Sequence, residues 1–323
     1  MACYSSCQYI QCGISFYPSN TIKFCCFSMK NDVDICTIDE NTDLDEIVDN
    51  IDKKRAKVIK LQKQGIIFDS CKNCSCLKKG EWAEPKDILS ITFNHYMKCN
   101  LKCEHCSYVD IRDEVKDTDD ELIFSIVRKL YERNLISEKT VFDIGGGEPS
   151  LSKGIDKILE YAMSKGIVSH VNSNIAKYNE LYVKGALEDK IKLTLTPDAG
   201  SREVYKKIKG ADYFEIMKRN LQQYMQQASD KIEVKFIIEN DNVDDIENMI
   251  KLCTDTGVKN VVLSFDLNIK EGYSNYRPYI RQFKNLCDEN GLNFTTRLMP
   301  QELLLELEIL KYEKALAQIK NDP

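Results

Sequence analysis

Residues 91–110 read ITFNHYMKCNLKCEHCSYVD, a short β-branched and aromatic run followed by a loop that carries Cys99, Cys103 and Cys106 in C-x3-C-x2-C spacing. The leading run has the composition of a strand. Lys98, Asn100, Lys102 and Glu104 interleave the cysteines and make the loop polar, unlike a packed core. Three thiolates this close on one loop suit two chemistries. They bind three irons of a cubane cluster and leave the fourth iron without a protein ligand, or they join a distant fourth ligand around tetrahedral zinc. Parallel α/β sheets and barrels carry their reactive groups in loops at the carboxyl ends of strands, which is where this loop falls.

Toward the C-terminus, strand-like runs alternate with longer amphipathic ones. TVFDIGG, VSHVNSN, KIKLTLTP, KIEVKFII, NVVLSFDL and NFTTRL alternate with DELIFSIVRKLYERN, GIDKILEYAMSKG, NELYVKGALED, FEIMKRNLQQYMQ, VDDIENMIKLCTDTG and YRPYIRQFKNLCDENG. Strands joined by crossover helices must run parallel. Gly166, Gly257 and Gly291 each close an amphipathic run just before a strand-like one, as helix C-terminal caps do. QELLLELEILKYEKALAQIK reads as a last helix. The expected class is α/β: a partial (β/α)6 TIM-like barrel over residues 87–323, preceded by a small N-terminal cysteine-rich metal-binding domain over residues 1–86.

Composition bounds the function. The chain has 323 residues, 43% of them hydrophobic, enough to bury a core. Its 45 basic and 51 acidic side chains give a net charge of -6 without like-charge blocks, which argues against a nucleic-acid partner. The opening MACYSSCQYI lacks a basic region followed by an apolar stretch, and no run approaches the roughly 18 apolar residues of a membrane span. The expectation is a cytoplasmic protein with no membrane partner. Of the 14 cysteines, nine precede residue 77: Cys3, Cys7, Cys12, Cys25, Cys26, Cys36, Cys71, Cys74 and Cys76. In a reducing compartment, grouped thiols hold metal rather than form disulfides. Cys253 and Cys287 lie in apolar helical patterns and read as small buried hydrophobes.

CNLKCEHC, just after a strand and in the first third of a β/α barrel, resembles the cluster loop of radical S-adenosylmethionine (radical SAM) enzymes. The resemblance implies a 4Fe-4S cluster held by Cys99, Cys103 and Cys106. It also implies S-adenosylmethionine chelated to the open iron and cleaved by one electron to a 5'-deoxyadenosyl radical that abstracts substrate hydrogen. His105 takes the place where the family usually has an aromatic residue near the adenine. DIGGGEPSL, after TVFDI, resembles the family's Gly-Gly-Glu-Pro element and sets Gly146, Gly147 and Glu148 against the methionine amino group. The physics agrees, since glycines admit a ligand close to the backbone and a carboxylate accepts from an ammonium. HVNSN (Asn172, Ser173, Asn174) and LTLTPDAGSREVYKKIKG resemble the family's later strand ends. Ser173 and Asp198 are candidates for ligand contact or for ordinary turn chemistry, and Lys235 is a further candidate in the fifth strand.

The first segment, CGISFYPSNTIKFCC, a charged run from Leu44 to Gln64, then CKNCSC, resembles the auxiliary-cluster modules called SPASM or twitch domains. A second 4Fe-4S cluster or a zinc ion would staple a domain too small to hold its own core. Cys12, Cys71 and Cys74 are the expected ligands, with Cys25 and Cys26 competing for the fourth place. The resemblance implies an enzyme acting on a peptide or a carbohydrate-like small molecule, by oxidation, epimerisation or C-C or C-S bond formation. An external reductant such as flavodoxin or ferredoxin would serve it. The competing class is a non-catalytic zinc or iron-sulfur adaptor or carrier, against which the GGGEP element argues.

Overall fold

The computed structural model describes residues 2–25, 31–72, 74, 76–83, 87–266 and 268–321, with side chains of the last helix described to residue 313. The first elements are β1 (Ala2–Ser6), α1 (Gln8–Cys12), β2 (Gly13–Tyr17), β3 (Thr21–Lys23), β4 (Asp34–Thr37), α2 (Leu44–Lys63) and β5 (Lys78–Trp82). Next come β6 (Ser90–Phe93), α3 (Asp120–Glu132), β7 (Val141–Ile144), α4 (Lys153–Ser164), β8 (Val168–Ser173), α5 (Glu180–Leu187), β9 (Ile191–Leu195), α6 (Arg202–Lys209) and α7 (Phe214–Ala228). The chain ends with β10 (Glu233–Ile238), α8 (Ile246–Thr256), β11 (Asn260–Phe265), α9 (Arg277–Glu289), β12 (Asn293–Arg297) and α10 (Gln301–Asn321). From β6 to α9 these are the β/α repeats of the expected α/β class, each strand-like run of the sequence forming a strand. Gly166, Gly257 and Gly291 all take positive φ at the helix ends where caps were expected. Among the described residues no helix is long and apolar enough to cross a membrane.

The chain divides into two compact units. The first takes residues 1–99, 110–171 and 188–192. Within it β6 pairs parallel with β7 and with β2, β7 pairs parallel with β8, β3 joins β2 antiparallel, and β4 joins β3 antiparallel. The cysteine-rich segment therefore extends the sheet that holds β6, while β1 and β5 form a separate antiparallel ribbon. Aromatic packing fills the middle of this sheet, with Phe93 5.6 Å from Phe16 and 5.0 Å from Phe142 between ring centroids. All three are fully buried, and burying each side chain stabilises by about 1.5–3 kcal/mol. Apolar residues recur at three- and four-residue spacing along α2, so Leu44, Ile47, Ile51, Val58 and Ile59 turn inward together. Arg55 on the same helix donates through Nε to the Ile10 carbonyl at 3.0 Å.

The second unit takes residues 100–109, 172–187 and 193–323. β10 pairs parallel with β9 and β11, and β11 pairs parallel with β12. Val234, Phe236 and Ile238 alternate inward along β10, and every second position faces the other way. Phe236 stacks on Phe283 of α9 at 5.4 Å. Cys253 and Cys287 are fully buried on α8 and α9, as their apolar patterns imply.

Candidate functional site

In the first unit, β6 ends at Phe93 and runs into Asn94, His95, Tyr96, Met97, Lys98 and Cys99. His95 is fully buried, and its Nε2 pairs with Asp120 Oδ1 at 2.9 Å. Asp120 Oδ2 accepts from Ser152 Oγ at 2.7 Å, and Ser152 Oγ in turn accepts from Ile155 N at 3.1 Å as the N-cap of α4. Burial alone would raise the Asp120 carboxyl, but the hydrogen bonds from His95 and Ser152 outweigh it and hold the group below the usual carboxylate range. Met97 N donates to Asp117 Oδ1 at 2.7 Å and Thr118 N to the His95 carbonyl at 3.1 Å. The approach to Cys99 is thus tied on one side to the start of α3.

On its other side it is tied to the Gly-rich turn after β7. Gly145 N donates to the Phe93 carbonyl at 3.1 Å, Gly147 N to the Tyr96 carbonyl at 2.7 Å and Glu148 N to the Lys98 carbonyl at 2.9 Å. Gly146 has φ +81, a left-handed conformation that favours glycine. A Cβ on Gly147 would collide with the Lys98 carbonyl, so only glycine fits this approach. Glu148 is 3% exposed, and its Oε1 accepts from Ser150 N at 3.1 Å. The two motifs singled out in the sequence are therefore joined by backbone hydrogen bonds between residues 96–98 and 147–148.

Residues 100–109 belong to the second unit, where the end of α6 fastens them. Lys102 N donates to the Lys209 carbonyl at 2.9 Å and Glu104 N to the Ile208 carbonyl at 3.0 Å. These are last-turn carbonyls of α6, which lack partners within a helix. Cys106 N donates to the Cys103 carbonyl at 3.1 Å, and Asn174 Nδ2 donates to Asn100 Oδ1 at 2.9 Å. His105 donates from Nδ1 to Glu239 Oε1 at 2.9 Å, the carboxylate being acceptor only, and its Nε2 lies 3.7 Å from Asp198 Oδ2. Asp198 is fully buried. Its Oδ2 receives the Lys209 ammonium and its Oδ1 accepts from Ile237 N at 2.9 Å. Burial works against both charges, but the Lys209 ammonium keeps the Asp198 carboxyl below its usual range, and Asp198 followed by Cys103 keeps the Lys209 ammonium above its own. Ser173 Oγ accepts from Ile175 N at 3.2 Å while its carbonyl accepts from Thr196 N at 2.9 Å. Burial pushes Lys235 down.

Cys99, Cys103 and Cys106 are all half-buried. Among the described residues no three His, Cys, Asp or Glu side chains stand close enough to hold one ion. The donor set still suits a cubane with one open iron: three soft sulfurs within eight residues, on a loop whose backbone is already fastened. Of the N-terminal candidates, Cys71 is buried, Cys25 and Cys74 are half-buried, and Cys26 lies outside the described residues. Cys12 ends α1, where its Sγ donates to the Gln8 carbonyl at 3.2 Å. Sequence reasoning missed the His95–Asp120–Ser152 chain and the Asp198–Lys209 pair. Lys209 reads as one more lysine in KKIKG, and no local pattern marks it as buried.

A family model described as the Radical SAM superfamily matches residues 93–271. A probable GTP 3',8-cyclase of Saccharolobus islandicus is 24% identical over 187 residues, which cover 56% of this chain and 58% of that protein. An Fe-coproporphyrin III synthase of Methanosarcina barkeri is 26% identical over 163 residues, 50% of this chain and 40% of that one. The chain thus spans less than two thirds of the length of these two relatives. The crystal structure of Streptococcus suis SuiB bound to precursor peptide SuiA superposes with a TM-score of 0.53 at 16% identity, covering 80% of this chain and 56% of that one. This likeness speaks for a shared fold. Because the family match takes in more than half of the chain and both motifs that the hydrogen bonds join, the chain belongs to the radical SAM superfamily.

Proposed function

We propose that the chain is a radical SAM enzyme that takes hydrogen from a peptide or carbohydrate-like substrate. The observation that carries this reading is the pair of backbone hydrogen bonds that draws Gly147 and Glu148 onto residues 96 and 98, beside Cys99. Cys99, Cys103 and Cys106 would hold three irons of a 4Fe-4S cluster. The bound cluster and S-adenosylmethionine supply one-electron cleavage of the sulfonium, with the electron drawn from an external reductant such as flavodoxin or ferredoxin. Gly146 and Gly147 let the turn pack against the backbone of residues 96–98, which carries Glu148 to the triad loop, where it would accept from the methionine amino group. His105 offers a flat face for the adenine, held in orientation by Glu239 and flanked by Asp198, while Ser173 supplies a hydroxyl for the ribose or carboxylate. Residues 1–86 serve as an auxiliary module carrying a second 4Fe-4S cluster, which binds substrate or accepts an electron. The absence of a membrane-length apolar helix among the described residues and the unclustered charge fit a cytoplasmic enzyme that binds neither membrane nor nucleic acid.

The test replaces Cys99, Cys103 and Cys106 together with Ala in the full chain, reconstituted anaerobically. Formation of 5'-deoxyadenosine and methionine is expected to vanish while circular dichroism stays that of the parent. Cleavage of S-adenosylmethionine at the parental rate in this variant would overturn the reading.

A further inference from the structure

Four cysteines from three separate segments are brought toward one neighbourhood by the pairings of the first unit. The β1–β5 ribbon sets Ser6 opposite Lys78, so Cys7 leaves the ribbon at the end where β5 begins. Just before β5, Cys71 and Cys74 form a turn, with Cys74 N donating to the Cys71 carbonyl at 3.1 Å and Leu77 N to the Cys74 carbonyl at 3.1 Å. Cys25 lies just after β3, where Phe24 N donates to the Val33 carbonyl at 3.2 Å. Asp32, next to Val33, ties this place to the neighbour of Cys71, because its carboxylate accepts from Ser70 N at 3.0 Å and from Ser70 Oγ.

Cys7 and Cys71 are buried and Cys25 and Cys74 half-buried. Cys12 is not in this circle. Five residues along a helix from Cys7, it is turned about 140° away. The charge it meets is the Arg55 guanidinium. Cys36 is lifted to about 11 by burial and then by Glu46.

We infer that Cys7, Cys25, Cys71 and Cys74 are the four ligands of one metal centre that staples residues 1–86, and that Cys12 stands outside it. This rests on the auxiliary-cluster reading above and gives it a ligand set. The thiols close onto the centre by rotation about χ1, which swings each sulfur among three staggered positions. Four thiolates complete the coordination of a cubane and leave it no open iron, so this centre passes electrons or shapes the fold and does not bind S-adenosylmethionine.

The experiment uses the full chain with Cys99, Cys103 and Cys106 replaced by Ala, so that iron reports on this centre alone. After anaerobic reconstitution, about four irons per chain are expected, retained in a further Cys12→Ala variant and lost in Cys7→Ala. Full iron in Cys7→Ala, or its loss in Cys12→Ala, overturns the ligand set. A triad variant that holds neither iron nor zinc overturns the auxiliary reading and this centre with it. Zinc held with the same dependence on Cys7 supports the four ligands and removes the second cluster. Should Cys7→Ala misfold, alkylation of the reconstituted triad variant decides instead. Cys7, Cys25, Cys71 and Cys74 are expected to resist iodoacetamide together and to react together once metal is stripped. Equal labelling of Cys7 in the loaded and stripped protein would overturn the assignment.

Discussion

The chain carries two sets of cysteines, built on opposite principles. Cys99, Cys103 and Cys106 sit within eight residues of one loop and are half-buried. Cys7, Cys25, Cys71 and Cys74 come from segments up to 67 residues apart, and Cys7 and Cys71 are only 8% and 7% exposed. A local set needs no tertiary structure to be near itself and leaves its sulfurs accessible to a small ligand. A dispersed set comes together only when its strands pair, and a metal bound by it would crosslink that pairing. The first arrangement suits chemistry and the second suits stability.

The largest effect that would test this contrast is on folding. Metal held by four structural thiolates contributes on the order of 10 kcal/mol, comparable to the whole stability of a domain. Cys71→Ala with Cys74→Ala should therefore leave residues 1–86 open to limited proteolysis, whereas the triad triple-Ala variant should resist like the parent. Equal resistance in both variants would erase the distinction between the two sets.

A smaller effect is expected at the buried pair beside the second half of the triad loop. Asp198→Ala strands the Lys209 ammonium, at a cost of roughly 3–5 kcal/mol measured by denaturant unfolding. Because the folded Asp198 carboxyl sits below its unfolded value, its contribution is fully present above about pH 4 and is lost as pH falls through the folded value. The variant should accordingly lose less stability than the parent on acidification. A parallel acid profile would show that the pair does not brace the loop.

The smallest effect concerns binding. Glu148→Ala should weaken S-adenosylmethionine by about 1.5–3 kcal/mol, the usual worth of a hydrogen bond to a charged group, read by calorimetry on the reconstituted protein. Unchanged affinity would remove Glu148 from the site, leaving it only as the acceptor for Ser150 N.

The same contrast explains what could be read from the residues in advance. The β/α alternation and both motifs are local patterns, and the strands and helices formed where the runs lay. The triad loop was legible because its spacing is the signal. Cys7 was not, because nothing near it in sequence points to Cys71; only the Ser6–Lys78 register brings them into one neighbourhood. Likewise a parallel partner for β6 from residues 13–17 cannot be read from either strand alone. His105 was legible as a position, but its Glu239 partner lies 134 residues away. Lys209 hides among surface-like neighbours although it is 1% exposed.

The His95–Asp120–Ser152 chain has a consequence for timing. One carboxylate joins the exit of β6, the first residue of α3 and the cap of α4, and its negative charge meets the amino-terminal dipole of α3. The backbone leading to Cys99 is thereby ordered as soon as these three elements dock. Its conformational entropy, about 1–2 kcal/mol per residue, is lost during folding. A ligand arriving later at Cys99 meets a mould already cast and has only its own freedom to give up.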